Sequence, residues 1–451
     1  MSRAWSVLLM ALMTAGCRGT SGRDDDAAFG SSAPAREAAA EPAAAEPRDL
    51  CLAEPGGSGT VDQVLRTAQE RALAPTARPD EWVEVGRQWV RKARLASDPG
   101  FYLNVEGCVI AALAVEPDYA PALGLRGLAL MNGHRFEEAR RLAESLLGRD
   151  PEDPLALGLL SDALLELGRY HESAEAVQRQ IAVRPGMAAY SRGSYLRWLN
   201  GDGRKAKVLV REALSGRDAR DPEPAAWTFV EAATLFWHEA DLSGADAVYA
   251  EALDWVPGYA AALVGRARVA MARNEPRRAV GYLEQAYAAR PLAETAWLLG
   301  DAREMLGDAP GARQAYDLVV RQGRRGDRLT LALFYATKDR DQEEALRLVE
   351  EERGSRGGIY LDDAHAWALF RLGRFAEARA ASDRALRLGT PEARLLYHAG
   401  AIRMAAGDAA AGRRLVRRAL ALNPHFDWTG ADEARALLER GRNRAVADAK
   451  L

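Results

Sequence analysis

Three short segments of this 451-residue chain superimpose without gaps: Arg135-Phe136-Glu137-Glu138-Ala139, Arg169-Tyr170-His171-Glu172-Ser173 and Arg374-Phe375-Ala376-Glu377-Ala378. Each follows a glycine- or histidine-containing turn and each opens an apolar helix. Their final residues define a register that extends to Val105, Ala139, Ser173, Ala206, Ala245, Ala279, Ala312, Ala345, Ala378 and Gly412. The steps are 33 or 34 residues with a single step of 39, and nine of the ten residues are small. A chain with that period cannot be one large globule. It must stack units that each pack only on their neighbours, so the core grows along one axis and length ceases to be limiting.

Two further sets of positions test the register. Twelve residues upstream lie Ala93, Gly127, Ser161, Ser194, Ala233, Ala267, Gly300, Leu333, Ala366 and Gly400, again small in nine of ten cases. Twelve residues downstream, Pro117, Pro151, Pro185, Pro257, Pro291 and Pro424 mark where a helix must stop, because proline lacks the amide and disfavours helix in the residue before it.

A period of 34 with a turn in the middle resembles the tetratricopeptide repeat. In that family the two small positions are where paired helices cross closely, so bulk is excluded. The resemblance implies an all-α fold, a right-handed α-solenoid of about ten antiparallel helix-turn-helix repeats spanning residues 80–424. Residues 49–79 read as a pre-repeat helix, Val61 to Leu73, and linker. Residues 425–451 read as a polar-faced capping helix, Ala431 to Arg440, and a tail. Two departures stand out. The 39-residue step predicts a longer surface loop, Ser215 to Asp221, and a bend or loosening between Leu214 and Pro224. The repeat around Leu329 to Glu352 has Leu333 at a close-contact position and no closing proline, so it is expected to pack least regularly.

In the family the first helix of each repeat lines a concave surface. Carried over position by position, the inward-facing set comprises Tyr195, Trp198, Trp227, Trp237, His238 and Trp297, and, further along the chain, Phe334, Tyr360, Trp367, Phe370 and Tyr397. Polar companions at equivalent positions include Glu166, Arg268, Asp301, Lys338, Asp363 and Arg394. Large aromatics offer contact area at little rotamer cost, and mixed charge suits an extended peptide. The alternative is that these side chains fill the interior of a narrow superhelix. Trp89 falls at a position that the family buries between helices.

The first 16 residues read as a signal peptide: Arg3, then an apolar stretch from Trp5 to Met13 too short to span a bilayer, then small residues. Ala15-Gly16-Cys17 resembles the lipobox of bacterial lipoproteins, although Thr14 stands where leucine is usual. Lipidation of Cys17 is expected, with Arg18 pointing to the periplasmic side of an outer membrane; an ordinary cleaved signal is the other reading. Residues 17–48, rich in Ala, Glu and Pro, read as a tether that cannot build a core. Cys51 and Cys108 are the remaining cysteines. In an oxidising compartment they can bridge, or Cys108 is simply a small apolar helix residue.

No constellation for catalysis emerges. His134, His171, His238, His365, His398 and His425 show no metal-ligand spacing and are expected at surfaces or turns. Gly56-Gly57-Ser58-Gly59-Thr60 lacks the lysine of a phosphate loop and reads as linker, and the Arg-Gly-Asp triplet at Arg325-Gly326-Asp327 reads as chance. A net charge of -3 argues against nucleic acid as partner. The expectation is therefore a protein-binding scaffold of the cell envelope, with no cofactor and no metal. A carbohydrate-binding module using the same tryptophans is the alternative.

Overall fold

The computed structural model describes residues 46–96 and 98–448, with side chains as far as Arg440. Among the described residues every regular element is helical. They form an N-terminal unit, residues 46–93 with 98–129, and a C-terminal unit, residues 94–96 with 130–448. The expected signal peptide, Cys17 and most of the expected tether fall in residues 1–45, outside the described residues.

The N-terminal unit contains α1 (Pro47–Cys51), α2 (Thr60–Ala72), α3 (Pro79–Leu95), a 3-10 turn (Pro99–Phe101), α4 (Tyr102–Val115) and the first part of α5 (Ala120–Asn132). Cys51 and Cys108 are bridged, with Cα atoms 4.7 Å apart, which ties α1 to α4. Asn104 Nδ2 reinforces the tie by donating to the Leu50 carbonyl at 2.7 Å. Trp89, 1% exposed, donates its indole N–H to the Cys51 carbonyl at 2.8 Å, which is the core role expected of it. The Gly56–Thr60 stretch is not free linker. Arg66 Nη2 donates to the Gly57 carbonyl at 2.5 Å, and the Gly59 amide donates to Asp62 at 2.9 Å.

The C-terminal unit begins with α6 (Phe136–Arg149). The pairs that follow are α7 (Pro154–Glu166) with α8 (Tyr170–Val183), α9 (Met187–Leu199) with α10 (Gly203–Ser215), and α11 (Pro222–His238) with α12 (Leu242–Trp255). Next come α13 (Ala260–Ala272) with α14 (Pro276–Ala289), α15 (Ala293–Met305) with α16 (Ala309–Arg325), and α17 (Arg328–Thr337) with α18 (Gln342–Arg353). The last pairs are α19 (Ile359–Arg371) with α20 (Phe375–Ala385) and α21 (Ala393–Ala405) with α22 (Ala409–Leu422), after which α23 (Gly430–Asp448) closes the unit.

All twenty small-register positions are buried. At Gly400 and Gly412 the reason is plain: a Cβ on Gly400 would sit 2.9 Å from the Gly412 carbonyl oxygen, and one on Gly412 2.6 Å from that of Gly400. The prolines act as expected. In the helices that end at Val115, Arg149, Val183, Trp255, Ala289 and Leu422, the next residue leaves the helical region and the proline follows it.

Most second helices of the C-terminal unit start in one of two ways. Where the Arg motif is present, Arg135, Arg169 and Arg374 pair with Glu138, Glu172 and Glu377 three residues on. At five others an aspartate at the same position caps the helix: the carboxylates of Asp202, Asp241, Asp308, Asp341 and Asp408 accept backbone amides of the first turn. At α14 the pair is reversed, Glu275 meeting Arg278 at 3.2 Å without a side-chain cap.

Two expectations change. The joint between Leu214 and Pro224 is packed rather than loose. The extra residues are divided between a turn at 216–221 and an added turn of α11, which has 17 residues against 13 in α9. Glu223 in that added turn is buried and accepts the Tyr259 hydroxyl at 2.8 Å. The α17–α18 repeat, expected to be the least regular, has a first helix of only 10 residues, yet Leu329 through Ala336 are all buried. Leu333 fits because it faces the interior of the unit rather than a tight crossing.

The C-terminal unit also meets itself. Gly357 N donates to the Glu166 carbonyl at 2.9 Å, Ile359 N to the Tyr170 hydroxyl at 2.8 Å, Thr390 Oγ1 to the Leu199 carbonyl at 2.5 Å, and Asn423 Nδ2 to the Trp237 carbonyl at 2.8 Å. These partners lie 186 to 191 residues apart, so the coil returns upon its own earlier repeats along one seam. Backbones touch there: a Cβ on Gly357 would lie 2.7 Å from the Leu167 oxygen, and one on Gly168 2.8 Å from the Gly358 nitrogen.

Candidate functional site: an interior cavity

Because the seam closes the coil, the inward faces of the first helices bound an internal cavity of about 480 Å³. Its wall is drawn from α7 through α21, the turn preceding α19, and the segment that leads from α22 into α23. Aromatic surface comes from Tyr195, Trp237, Trp297, Tyr360, Phe426 and Trp428. Asn274, Trp428, Asp432 and Arg435 line the cavity and are also exposed, which marks where it opens.

The eleven aromatic and histidine positions predicted to face inward divide into two groups. Tyr195, Trp237, His238, Trp297 and Tyr360 line the cavity. The other six pack against neighbouring side chains instead. Trp198 rests on His238, ring centroids 4.5 Å apart, and Trp227 lies in a core with Val230 and Tyr249. Phe334, fully buried, meets Trp297 at 5.4 Å, and Trp367 lies between Phe370 at 4.9 Å and His398 at 3.9 Å. Tyr397 donates its hydroxyl to Glu433 of α23 at 2.5 Å. These six make packing contacts: Trp198, Phe334 and Trp367 meet the inward face of an adjacent first helix, and Phe370 also meets Phe375 of α20 at 5.9 Å.

The charged groups of the wall are six carboxylates, Glu166, Glu294, Asp301, Glu392, Asp427 and Asp432, against the four guanidiniums of Arg268, Arg356, Arg394 and Arg435. Most are matched. Arg268 pairs with Glu294, Arg435 with Asp432 at 2.5 Å and Arg394 with Glu392 at 3.6 Å. Asp301 takes an ion pair from Lys338 at 2.7 Å and a hydrogen bond from the Tyr316 hydroxyl at 2.7 Å. Arg356 is shared with Glu352 at 3.4 Å. Glu166 has no such close partner, and its remaining exposure faces the cavity. Burial pushes its carboxyl up to about 7, with Arg356 opposing that rise and Glu352 adding to it. Burial likewise holds the His238 imidazole down at about 4, so it is neutral near neutral pH and supplies no balancing charge.

The histidine expectation is corrected at three positions. His134 lies in a turn and His171 is exposed, but His365 and His398 are buried and His238 lines the interior cavity. His398 Nδ1 lies 3.0 Å from both oxygens of Asp363, and burial holds His365 down at about 4. Sequence reading also missed Tyr170, Arg356, Glu392 and the whole 424–435 segment as wall. The signal lay in Gly357-Gly358 ahead of α19 and in Phe426 and Trp428 just beyond the last proline.

The tetratricopeptide repeat family model matches residues 125–191, 264–327 and 364–425. Those three spans carry tetratricopeptide repeats. Each matched span covers two of the regular register positions, and the stretches between them hold the 39-residue step and the short α17–α18 repeat. No curated protein matches the chain. Among solved structures, the human IFIT1 dimer with PPP-AAAA is similar at 14% identity and a TM-score of 0.45, over 84% of this chain and 94% of that one. PilW, a widely conserved type IV pilus biogenesis factor, is similar at 18% identity and a TM-score of 0.38, over 43% of this chain and 88% of that one. A tetratricopeptide repeat protein from Parabacteroides merdae is similar at 14% identity and a TM-score of 0.37, over 64% and 98%. Likeness at this level carries nothing about what is bound. The repeats themselves make the chain a protein-interaction scaffold.

Proposed function

We propose that this scaffold is an exported, lipid-anchored envelope protein that holds a segment of a partner polypeptide in the interior of its C-terminal unit. The cavity carries this reading: about 480 Å³ bounded by aromatic faces and fixed polar groups is the form of a site that recognises one inserted segment. Support for the envelope placement is the lipobox-like Ala15-Gly16-Cys17. A photo-cross-linking residue at Asn274, on the cavity rim, should give one discrete adduct in the native envelope, whereas the same residue at exposed Glu251 should give none. Equal adducts from both positions would sink the reading. Cys17→Ala should release the protein from membranes, and unchanged membrane retention would remove the anchor.

Carbohydrate is the second reading, favoured by the indoles of Trp237 and Trp297 on the wall, which can stack on sugar rings. Binding of envelope glycans that is lost in Trp237→Ala would select it.

A further inference from the structure

We infer that the cavity takes a cationic group, an ammonium or guanidinium such as a lysine or arginine side chain carries, seated between the carboxylates of Glu166 and Glu392 and against the rings of Tyr195 and Tyr360. The inference rests on the polypeptide-binding reading and names the chemistry of the inserted segment.

Three observations carry it. First, the wall has six carboxyl groups against four guanidiniums, and the ion partners recruited from outside it add no surplus of positive charge, since Lys338 is shared with Glu304 at 3.1 Å and Glu352 is itself acidic. The interior is therefore short of positive charge, and His238, neutral in its buried setting, does not supply it. Second, Glu392 is 9% exposed and its Oε2 has no hydrogen-bond partner, although a carboxylate oxygen withdrawn from water at that depth normally has one. Its ion partner accounts only partly for the charge: Arg394, 3.6 Å away, also lies within electrostatic reach of Asp363 and Asp427. Third, Glu166, Glu392, Tyr195 and Tyr360 all line this one cavity, so the two acids and two rings border one volume. Carboxylates withdrawn from water are what a desolvated cation requires, and aromatic side chains of the same wall complement it. An anion would meet the surplus charge directly, and a neutral group would leave it unbalanced.

The test is calorimetric titration of the full chain with three blocked tripeptides, acetyl-Gly-Lys-Gly-amide and its norleucine and glutamate counterparts. The lysyl peptide should bind about tenfold or more tightly than the norleucyl peptide, whose side chain has similar length without the charge, and the glutamyl peptide should not bind. Glu166→Gln and Glu392→Gln, near-isosteric replacements, should each weaken the lysyl peptide about fivefold or more and leave the norleucyl peptide unchanged. No binding of the lysyl peptide, equal binding of all three, or unchanged affinity in both variants would overturn the inference. Competition separates this from the broader reading: an Asn274 photo-adduct that forms and resists the lysyl peptide leaves partner binding standing and removes the cation. Lysyl binding without any adduct does the reverse.

Discussion

At Asp327, inside the Arg-Gly-Asp triplet, one carboxylate has two opposed effects on stability. Oδ1 accepts the Thr330 amide at 3.1 Å and so caps α17, while Oδ2 is buried without a hydrogen-bond partner. Burial pushes the carboxyl up to about 7, against an ordinary value of 3.8. Between those values the folded chain keeps a proton that the unfolded chain releases, so stability falls as pH rises through this window. Asparagine would keep the capping oxygen and remove the charge. Asp327→Asn should therefore raise the melting temperature at pH about 8, by an amount worth up to a few kcal/mol, and change little at pH about 4. Melts that shift equally at both would show that burial of the charge is not the cause.

Among the elements, the turn between paired helices has one backbone requirement. Five residues before the small position, His134, Gly168, Gly201, Ala240, Asn274, Gly307, Gly373 and Gly407 all take positive φ. Ala240, at φ 60, has neither glycine's freedom nor a polar side chain to offset the left-handed conformation. Ala240→Gly should stabilise the protein by about 0.5–1 kcal/mol in urea melts, and any loss of stability would contradict the strain. In the N-terminal unit the bridge joins residues 57 apart in sequence. Replacing Cys51 and Cys108 by serine should cost that unit about 2–4 kcal/mol, seen as faster hydrogen exchange in α1 and α4. Unchanged exchange there would mean that the hydrogen bonds of Asn104 and Trp89 hold α1 by themselves.

For the C-terminal unit as a whole, the decisive feature is the seam. Tyr170→Phe removes the acceptor of the buried Ile359 amide, and Asn423→Ala removes the donor to the Trp237 carbonyl. An orphaned buried amide costs about 1–3 kcal/mol. The double variant should keep its helix content, exchange faster at Gly357 to Tyr360, and admit acrylamide to the cavity tryptophans. Quenching and exchange that match the unaltered chain would mean that the seam is held by backbone packing alone.

The repeat register was legible because it depends on local rules. Small residues mark crossings such as Gly400 on Gly412, and prolines such as Pro257 end helices wherever they stand. Even the missed caps, Asp308 and its equivalents, sat in register four residues before the small position. Periodicity also named the inward faces, since it fixes which side of a helix a residue occupies. It could not say whether those faces would look onto solvent, a cavity or one another. That depends on where repeats nearly 190 residues apart come to lie, and the small rotation added by each repeat accumulates over that distance. Only the tertiary structure decided that Trp237 borders a cavity while Phe334 is sealed in the core, and that Glu166 and Glu392, 226 residues apart, line the same cavity.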